Sequence, residues 1–338
     1  AAEMKKYEKQ QTEIARQEEI IRRFKQHNTE HLTKRAKSRE KMLEHMEIIE
    51  RPENLPDKVK ISFKQNFKSG NDVLIGENLS IGFGFGEKRR ELFRGVSFDI
   101  KRGERICIVG PNGIGKTTLL KIMMQQILPD SGRVKIGHNV TFGYYDQGQR
   151  LLNDANTVLG ELKESYRLYS DTEMRNILGR FLFRGEDVFL EIGALSGGEK
   201  ARLSLLKMML SGANTLVLDE PTAGLDPAGR DEIFELVRSY HKQSGATILI
   251  VSHSMEDISQ IADRLLVMDH ARVLFCDTPR EVFSHADEIV AAGLDIPMIT
   301  KVMIELKKRG HDVDTSVYTV AQAMDALYEK FGYYRNEL

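Results

Sequence analysis

Hydrophobic residues recur at helical spacing near both ends of this chain and form short continuous runs through its middle. In the charged first segment Tyr7, Ile14 and Ile21 are seven positions apart, which predicts two antiparallel helices joined by a short turn. From Val73 onward, apolar runs alternate with amphipathic stretches. This alternation is typical of an α/β fold with a mostly parallel sheet.

Seven apolar runs have the length and composition of strands, and a further strand pair ends near Cys276. The seven runs lie at residues 73–81, 92–100, 105–109, 133–136, 140–145, 215–218 and 247–251. Residues from about 149 to 211 have helical spacing without strand signals, which predicts an inserted helical subdomain. After Pro279 the helical pattern returns, and its last run places Val320, Met324, Leu327 and Phe331 on one face.

These patterns divide the chain into four segments. We predict a charged α-helical hairpin over residues 1–52, ended by Pro52, and an extended linker over residues 53–72. The α/β domain is expected to cover residues 73–278, and a small helical extension to cover residues 279–338.

Composition sets broad limits on function. The 338 residues carry a formal net charge of −1, so any affinity for a polyanion has to be local. No apolar run approaches the ~18 residues of a membrane-spanning helix, and no signal-peptide core is present. Cys107 and Cys276 lie in separate apolar runs, which predicts buried thiols in a reducing compartment. We expect a soluble cytoplasmic protein, and the start at Ala1 within a helical pattern predicts a preceding N-terminal part.

Basic residues are concentrated around the predicted tip of the hairpin. Between Arg16 and Lys41 there are nine basic and four acidic residues, a net charge of +5. Such a segment suits contact with a phosphate backbone, as in RNA. A solvated charged arm without a partner fits the composition equally well.

A glycine-rich stretch with one lysine separates a strand pattern from a helix pattern. It consists of Gly110, Pro111, Asn112, Gly113, Ile114, Gly115, Lys116, Thr117 and Thr118. In this setting the stretch matches a P-loop, whose backbone N–H groups and helix N-terminus surround phosphate. We expect Lys116 to reach the β- and γ-phosphates of ATP and the Thr117 hydroxyl to bind Mg²⁺.

Two carboxylates follow the apolar run at residues 215–218. Asp219 at the strand end is placed to hold Mg²⁺ through water, and Glu220 is placed to accept a proton from the water that attacks the γ-phosphate. The two motifs together predict an enzyme that hydrolyses ATP to ADP and phosphate.

A short motif before a helix pattern specifies the family. It consists of Leu195, Ser196, Gly197, Gly198 and Glu199, some twenty residues before Asp219. With Gln147 after one strand and His253 after another, the chain resembles the nucleotide-binding domain of ATP-binding cassette (ABC) proteins, over roughly residues 73–278. The resemblance implies an ABC-type P-loop NTPase fold with ATP and Mg²⁺ as cofactors.

The resemblance also implies roles for individual residues. Phe83 is expected to stack on adenine, with Phe85 as second choice, and Gln147 to sense Mg²⁺ and the attacking water. His253 is expected to contact the γ-phosphate, and Asp226 to lie in a loop crossing a dimer interface. The motif at 195–199 is expected to close over ATP bound to a second cassette, because helix N-terminal N–H groups suit phosphate.

Different parts of the chain resemble two different branches of the ABC family. From residue 1 to about 220, including the hairpin and the motif at 143–147, the chain resembles the interdomain linker and second cassette of an ABC-F protein. That resemblance implies a ribosome-associated translation factor, with RNA contacted through the basic hairpin and a missing N-terminal cassette as partner. We favour this branch.

From about residue 223 to 338 the chain resembles the ATPase subunit of energy-coupling factor vitamin transporters, through residues 223–226, 251–257 and 292–297. This alternative implies a homologous ATPase subunit and a transmembrane transporter subunit as partners, at the cytoplasmic face of the membrane. The change falls within residues 218–222, which both branches share. We therefore predict a hybrid, natural or produced by misassembled DNA.

Overall fold

The structure is a computed structural model that describes residues 65–84, 86, 89–146 and 152–331. The predicted hairpin, most of the predicted linker, Phe85 and Gln147 lie outside the described residues. Among the helices of the described ranges, none is long and apolar enough to cross a membrane.

Strands in the described part of the chain follow the predicted apolar runs closely. They are β1 (Asp72–Phe83), β2 (Arg90–Lys101), β3 (Arg105–Val109), β4 (Ser131–Ile136), β5 (Phe142–Tyr145), β6 (Thr215–Asp219), β7 (Thr247–Val251), β8 (Arg264–Asp269) and β9 (Arg272–Asp277). The helices are α1 (Lys116–Met123), α2 (Val158–Ser165), α3 (Asp171–Arg180), α4 (Gly197–Leu210), α5 (Pro227–Ser244), α6 (Met255–Ile261), α7 (Pro279–Ser284), α8 (Ala286–Ala291), α9 (Met298–Lys308) and α10 (Val320–Phe331).

Two separate sheets are formed. The larger has the order β5-β6-β7-β3-β8-β9, in which only the edge strand β9 is antiparallel to its neighbour. The smaller sheet is antiparallel, with the order β2-β1-β4. The parallel strands all end at one edge of the larger sheet, and this edge carries the polar residues discussed below.

The larger sheet is buried on both faces, which explains why its central strands read as continuous apolar runs. Every residue of β6 and β7 is buried. Because successive strand residues point to opposite faces, Leu216 and Ile248 join one hydrophobic cluster while Val217 and Leu249 join the other. The second cluster also contains the apolar side of α1 and the inner face of the small sheet.

Residues between β5 and β6 form α2, α3, two short 3₁₀ turns (Gly185–Phe189 and Ile192–Ala194) and α4, without a strand longer than a single bridge in the described residues. Thr157 and Ser170 cap α2 and α3 by accepting backbone hydrogen bonds, as short helices require. The predicted helical composition of this stretch is therefore present; its status as a separate subdomain stays a prediction.

The C-terminal helices have their own small core of Met303, Val313, Val317 and Ala323, joined by Leu327. Thr278 caps α7 with Pro279 in its first turn, as the sequence suggests. The predicted apolar stripe of α10 is only partly covered, because Val320 and Met324 are 64% and 46% exposed.

The two cysteines are both free thiols, but their environments differ from the prediction in one respect. Cys107 is fully buried in β3, as expected. Cys276 is only half-buried, and the Arg264 guanidinium approaches its sulfur at 3.3 Å. Its strand β9 is the sheet edge, where one side has no neighbouring strand to cover it.

Candidate functional site

The P-loop connects the buried strand β3 to α1 through a turn that only glycine fits at two points. Gly115 has φ of 104°, in the left-handed region, and it is the N-cap residue of α1. At Gly110 an added Cβ would lie 2.7 Å from the carbonyl oxygen of Met268. No side chain caps the start of α1, so its first N–H groups have no side-chain acceptor.

Lys116 is folded back over this loop. Its Nζ donates to the carbonyl oxygens of Gly110 at 2.8 Å and Pro111 at 3.0 Å. Burial lowers the pKa of the Lys116 ammonium, while the nearby carboxylates of Glu220 and Asp219 act in the opposite direction. A desolvated cation beside uncapped N–H groups is an arrangement that an anion would stabilise.

Two carboxylates stand at the end of β6, which is separated from the P-loop strand β3 by β7. Asp219 is buried, and its side chain is hydrogen-bonded by Thr117. The Tyr144 hydroxyl donates to Asp219 Oδ2 at 3.4 Å. Burial raises the pKa of the Asp219 carboxyl, and the neighbouring Glu220 and Asp146 raise it further.

Glu220 has a backbone conformation that few residues of its type adopt. Its φ is 51°, and its N–H donates to the Val251 carbonyl oxygen at 3.1 Å. Its Oε1 lies 2.6 Å from Nε2 of His253, which follows the end of β7. A positive φ at a non-glycine residue costs roughly 1–3 kcal/mol and is found preferentially at functional sites.

The motif at 195–199 forms the start of α4, with Ser196 as its N-cap residue. The Glu199 N–H donates to Ser196 Oγ at 3.3 Å, and Glu199 Oε2 accepts from the Ser196 N–H at 2.8 Å. Leu195 is buried, whereas Ser196 and Gly197 are exposed. The two hydrogen bonds form a capping box, which satisfies N–H groups that would otherwise be available to an anion.

The remaining predicted residues occupy separate positions. Asp226 caps α5, accepting from the Gly229 N–H at 3.0 Å, and Phe83 at the end of β1 is half exposed. The structure thus brings Lys116, Thr117, Asp219, Glu220 and His253 together, and it leaves Phe83, Asp226 and the 195–199 turn outside that group. Sequence reasoning missed Tyr144 as a site residue, because its approach to Asp219 follows from the pairing of β5 with β6.

The residues present fit both ATP and Mg²⁺. Mg²⁺ prefers hydroxyl, carboxylate, phosphate and water oxygens, and it usually takes only one or two carboxylates from the protein. Thr117 and Asp219 supply such oxygens, and the side chains of these two residues are joined by a hydrogen bond. Within the described ranges no group of three or more His, Cys, Asp or Glu could hold a metal by itself.

Comparison with known proteins finds relatives that are matched over most of their length. The energy-coupling factor transporter ATP-binding protein EcfA2 of Clostridioides difficile is 33% identical over 265 residues, covering 69% of this chain and 88% of that protein. A family model described as ABC transporter matches residues 93–223. The chain belongs to the ABC transporter ATPase family. A second family model with the same description matches residues 1–63 of this ABC ATPase.

Other relatives of this ABC ATPase are much longer than the chain. A Bacillus subtilis protein described only as ATP-binding, YdiF, is 41% identical over 272 residues, covering 80% of this chain and 41% of YdiF. ABC transporter F family member 5 of Arabidopsis thaliana is 35% identical over 265 residues, covering 78% of this chain and 37% of that protein. The chain therefore spans about two fifths of the length of these relatives.

The fold is also that of a solved cassette. The dimeric structure of the ATP-binding cassette MJ0796 in a post-hydrolysis state, bound to ADP and Pi, has a TM-score of 0.53 and 21% identity, covering 61% of this chain and 98% of that one. At this identity the likeness shows the P-loop NTPase fold of ABC type alone. Family membership makes the chain an ABC ATPase, a class whose cofactors are ATP and Mg²⁺.

Proposed function

We propose that the chain hydrolyses ATP with Glu220 as the general base and His253 as the residue that positions it. The observation that carries this proposal is the 2.6 Å contact between His253 Nε2 and Glu220 Oε1. Glu220 also has a φ of 51°, so the backbone changes direction there, directly after β6. A carboxylate held in this way is oriented toward one point, which a general base requires. Because the Glu220 carboxylate is near enough to affect the pKa of the Lys116 ammonium, we assign that point to the γ-phosphate end of the P-loop.

The other residues bind and orient the nucleotide in this proposal. Lys116 exchanges the carbonyl oxygens of Gly110 and Pro111 for phosphate oxygens, and the uncapped N–H groups of the P-loop at 110–118 hold the triphosphate. Thr117, Asp219 and Gln147 would hold Mg²⁺, which when bound withdraws charge from the phosphates. Tyr144 orients the Asp219 carboxylate through its hydroxyl. Phe83, exposed at the end of β1, is proposed to stack on adenine.

A second cassette completes the site. Ser196, Gly197 and Gly198 are placed outside the group around Glu220, so we assign them to ATP bound by a partner cassette. Asp226, which caps α5 at an exposed turn, is proposed to lie in the loop between the two cassettes. The dimeric state of the MJ0796 cassette, a protein of the same fold, supports this arrangement.

Replacement of the base tests the hydrolytic role. Glu220→Gln keeps the size and hydrogen-bonding capacity of the side chain but cannot accept a proton, so turnover should fall by roughly 10²- to 10⁴-fold. ATP affinity should stay within about threefold of the wild type, because the P-loop is untouched. Glu186→Gln, in an exposed 3₁₀ turn, is the control and should keep full turnover. A Glu220→Gln protein with near wild-type turnover would remove Glu220 from this role.

For the biological process, we propose a ribosome-associated factor of ABC-F type, in which this chain is the linker hairpin and second cassette. Support comes from the +5 charge between Arg16 and Lys41, from the separate family model at residues 1–63 and from the F family member of Arabidopsis thaliana. The match to only about two fifths of YdiF and of that F family member agrees with a chain that is one part of a longer protein.

Ribosome co-sedimentation tests this proposal. Reversal of Arg22, Arg23, Lys34 and Arg35 to Glu changes the hairpin charge by eight units and should abolish pelleting with ribosomes at low salt. Reversal of Lys307 and Lys308 in α9 is the control and should leave pelleting unchanged. Equal pelleting of the hairpin variant and the wild type would exclude the hairpin as a ribosome contact.

A second candidate is an ATP-binding subunit of an energy-coupling factor transporter, at the cytoplasmic face of a membrane. The 88% coverage of EcfA2 favours it, because a transporter subunit of that size would contain nearly all of this α/β domain and its extension. Co-purification with a membrane component, unaffected by the hairpin reversal, would support this candidate over the ribosome factor.

The proposed hybrid has its own test. EcfA2, on the one hand, and YdiF and the F family member, on the other, differ in length and description. This difference agrees with a chain that combines both branches. Amplification of source DNA as single molecules across the codons for residues 216–226 should give one continuous read. A broken read would mean two genes, joined within the shared motif at 218–222.

A further inference from the structure

A small polar cavity of about 100 Å³ lies directly beside the proposed catalytic pair, Glu220 and His253. Its lining comes from the start of α5 and from the two segments that follow β6 and β7. The other polar side chains in it are Thr222, Arg230, Ser252, Ser254 and Asp257. Asp257 is a buried carboxylate that takes no part in the mechanism proposed above. Its presence needs a physical reason, because burial of a carboxylate costs free energy.

The Asp257 side chain is hydrogen-bonded to both of these segments. The Thr222 hydroxyl donates to Asp257 Oδ2 at 3.4 Å, and Thr222 is itself buried, two residues after Glu220. The Ser254 hydroxyl is also hydrogen-bonded to the Asp257 side chain, and Ser254 directly follows His253. Asp257 therefore connects the segment that carries the proposed general base with the segment that carries its histidine partner.

The charge of Asp257 is not placed there for stability. Burial raises the pKa of this carboxyl, and the hydroxyls of Ser254 and Thr222 and the guanidinium of Arg230 offset that effect only in part. Because the pKa is raised in the folded protein, the ionised carboxylate makes the fold less stable, not more stable. A buried group that is kept at a cost, next to a catalytic pair, is typical of a functional role.

Two fixed points between the segments determine how the catalytic side chains meet. The first is a backbone hydrogen bond, in which the Glu220 N–H donates to the Val251 carbonyl oxygen at 3.1 Å. The second is the side-chain bond between Thr222 and Asp257. With the first point alone the segments could pivot about it, and the 2.6 Å contact of Glu220 with His253 would no longer be fixed.

We propose that Asp257 is a positioning residue for ATP hydrolysis. Its carboxylate holds the Thr222 hydroxyl against the start of α6 and thereby keeps Glu220 in contact with His253. Asp257 touches neither the nucleotide nor the attacking water in this account, so its loss should lower kcat and leave nucleotide binding intact. The inference rests on the function proposed above, in which Glu220 is the general base.

Removal of the Thr222 hydroxyl tests the link with little change in side-chain volume. Thr222→Val should lower the kcat of the full chain by about 10-fold, since misplacement of a catalytic group by about 1 Å can cost roughly 100-fold. KM and the Kd of a fluorescent ATP analogue should both stay within about twofold of the wild type, because the P-loop is unchanged. Thr222→Ser restores a hydroxyl and should recover most of the lost kcat.

Thr215→Val is the matched control. Thr215 is a buried threonine at the opposite end of β6, where its hydroxyl donates to Asn214 Oδ1 at 3.2 Å. Both valine variants lose a buried hydrogen bond, so both should melt at lower temperature. At a temperature well below both melting points, Thr215→Val should keep the wild-type kcat. Asp257→Ala should lower kcat as Thr222→Val does, and it keeps the test open if Thr222→Val fails to fold.

The Glu220→Gln background distinguishes positioning from a general loss of structure. Residues that act as one unit have strongly non-additive effects on turnover. If Thr222 and Asp257 act through Glu220, adding Thr222→Val to Glu220→Gln should change the residual turnover by less than about twofold. A purely structural defect would lower the residual turnover by the same factor as in the wild type.

Two results would overturn this inference and leave the function proposed above intact. The first is a wild-type kcat in both Thr222→Val and Asp257→Ala. The second is an equal loss of turnover from Thr222→Val in the wild-type and Glu220→Gln backgrounds. Near wild-type turnover of Glu220→Gln alone is a different outcome, because it would overturn the proposed function and this inference with it.

Discussion

Two helix N-termini in this protein are expected to hold phosphate, yet they are built in opposite ways. At the start of α1 the N-cap residue is Gly115, no side chain accepts from the first N–H groups, and the Lys116 ammonium lies close by. At the start of α4 a capping box between Ser196 and Glu199 already satisfies two N–H groups, and the first turn carries the Glu199 carboxylate.

The difference indicates what each turn can do alone. The P-loop turn has no side-chain cap and carries a positive charge, so we expect it to bind a triphosphate without help. The turn at 195–199 has an exposed Gly197 and a half-buried Gly198 but keeps a negative charge at Glu199, so it is expected to add contacts only to a nucleotide already held elsewhere. We therefore interpret it as the part of the site that acts on a second cassette.

Removal of the P-loop cation should have the largest effect. Lys116→Ala removes one charge-assisted contact to phosphate, worth about 1.5–3 kcal/mol, so the Kd for ATP should rise roughly 10- to 150-fold. Equilibrium binding of a fluorescent ATP analogue measures this. Lys121→Ala, on the last turn of the same helix, should bind ATP like the wild type. Equal affinity of the Lys116→Ala protein would mean that the N–H groups alone hold the nucleotide.

Glycine substitutions should have the next largest effects, and the loss of stability should differ between the P-loop turn and the turn at 195–199. An added Cβ at Gly115 would lie 3.1 Å from Phe93 and 3.3 Å from Leu92, and φ is 104°, so Gly115→Ala should destabilise the fold by about 1–3 kcal/mol. Gly197 has no atom within 4 Å of that position and no positive φ, so Gly197→Ala should change stability by less than about 0.5 kcal/mol. Urea unfolding midpoints measure both. Similar losses at the two glycines would contradict the described geometry.

Loss of the α4 cap should have a smaller effect than either P-loop substitution. Ser196→Ala removes the acceptor for the Glu199 N–H and should cost about 1 kcal/mol in unfolding free energy. Ser196→Asp, which restores an acceptor, is the matched control and should recover most of that loss. A Ser196→Ala protein as stable as the wild type would show that the capping box does not stabilise α4.

Much of this fold follows from local patterns in the sequence. Strands β3, β6 and β7 are continuous apolar runs because both faces of the sheet are covered. The P-loop can be recognised because it lies between a strand pattern and a helix pattern. The pairing of the strands is harder to predict from the sequence. The sequence predicts β1, β2 and β4 as strands, but their separation into a second sheet depends on contacts between residues far apart in the chain, such as Leu74 with Ile136.

The chemistry of the site was predicted only in part, because side-chain partners depend on the folded backbone. Lys116 was predicted as a phosphate ligand, but its bonds to the Gly110 and Pro111 carbonyl oxygens require the curled loop. The approach of Tyr144 to Asp219 depends on β5 and β6 being neighbours, although residues 146–214 separate them in sequence.

The most direct test of the contrast between the two turns is the ATP affinity of the isolated Ser196→Ala chain, measured beside Lys116→Ala. If the turn at 195–199 acts only on a second cassette, Ser196→Ala should bind ATP within about twofold of the wild type while Lys116→Ala loses at least tenfold. A Ser196→Ala protein that loses as much affinity as Lys116→Ala would place both turns on the same nucleotide and contradict the account.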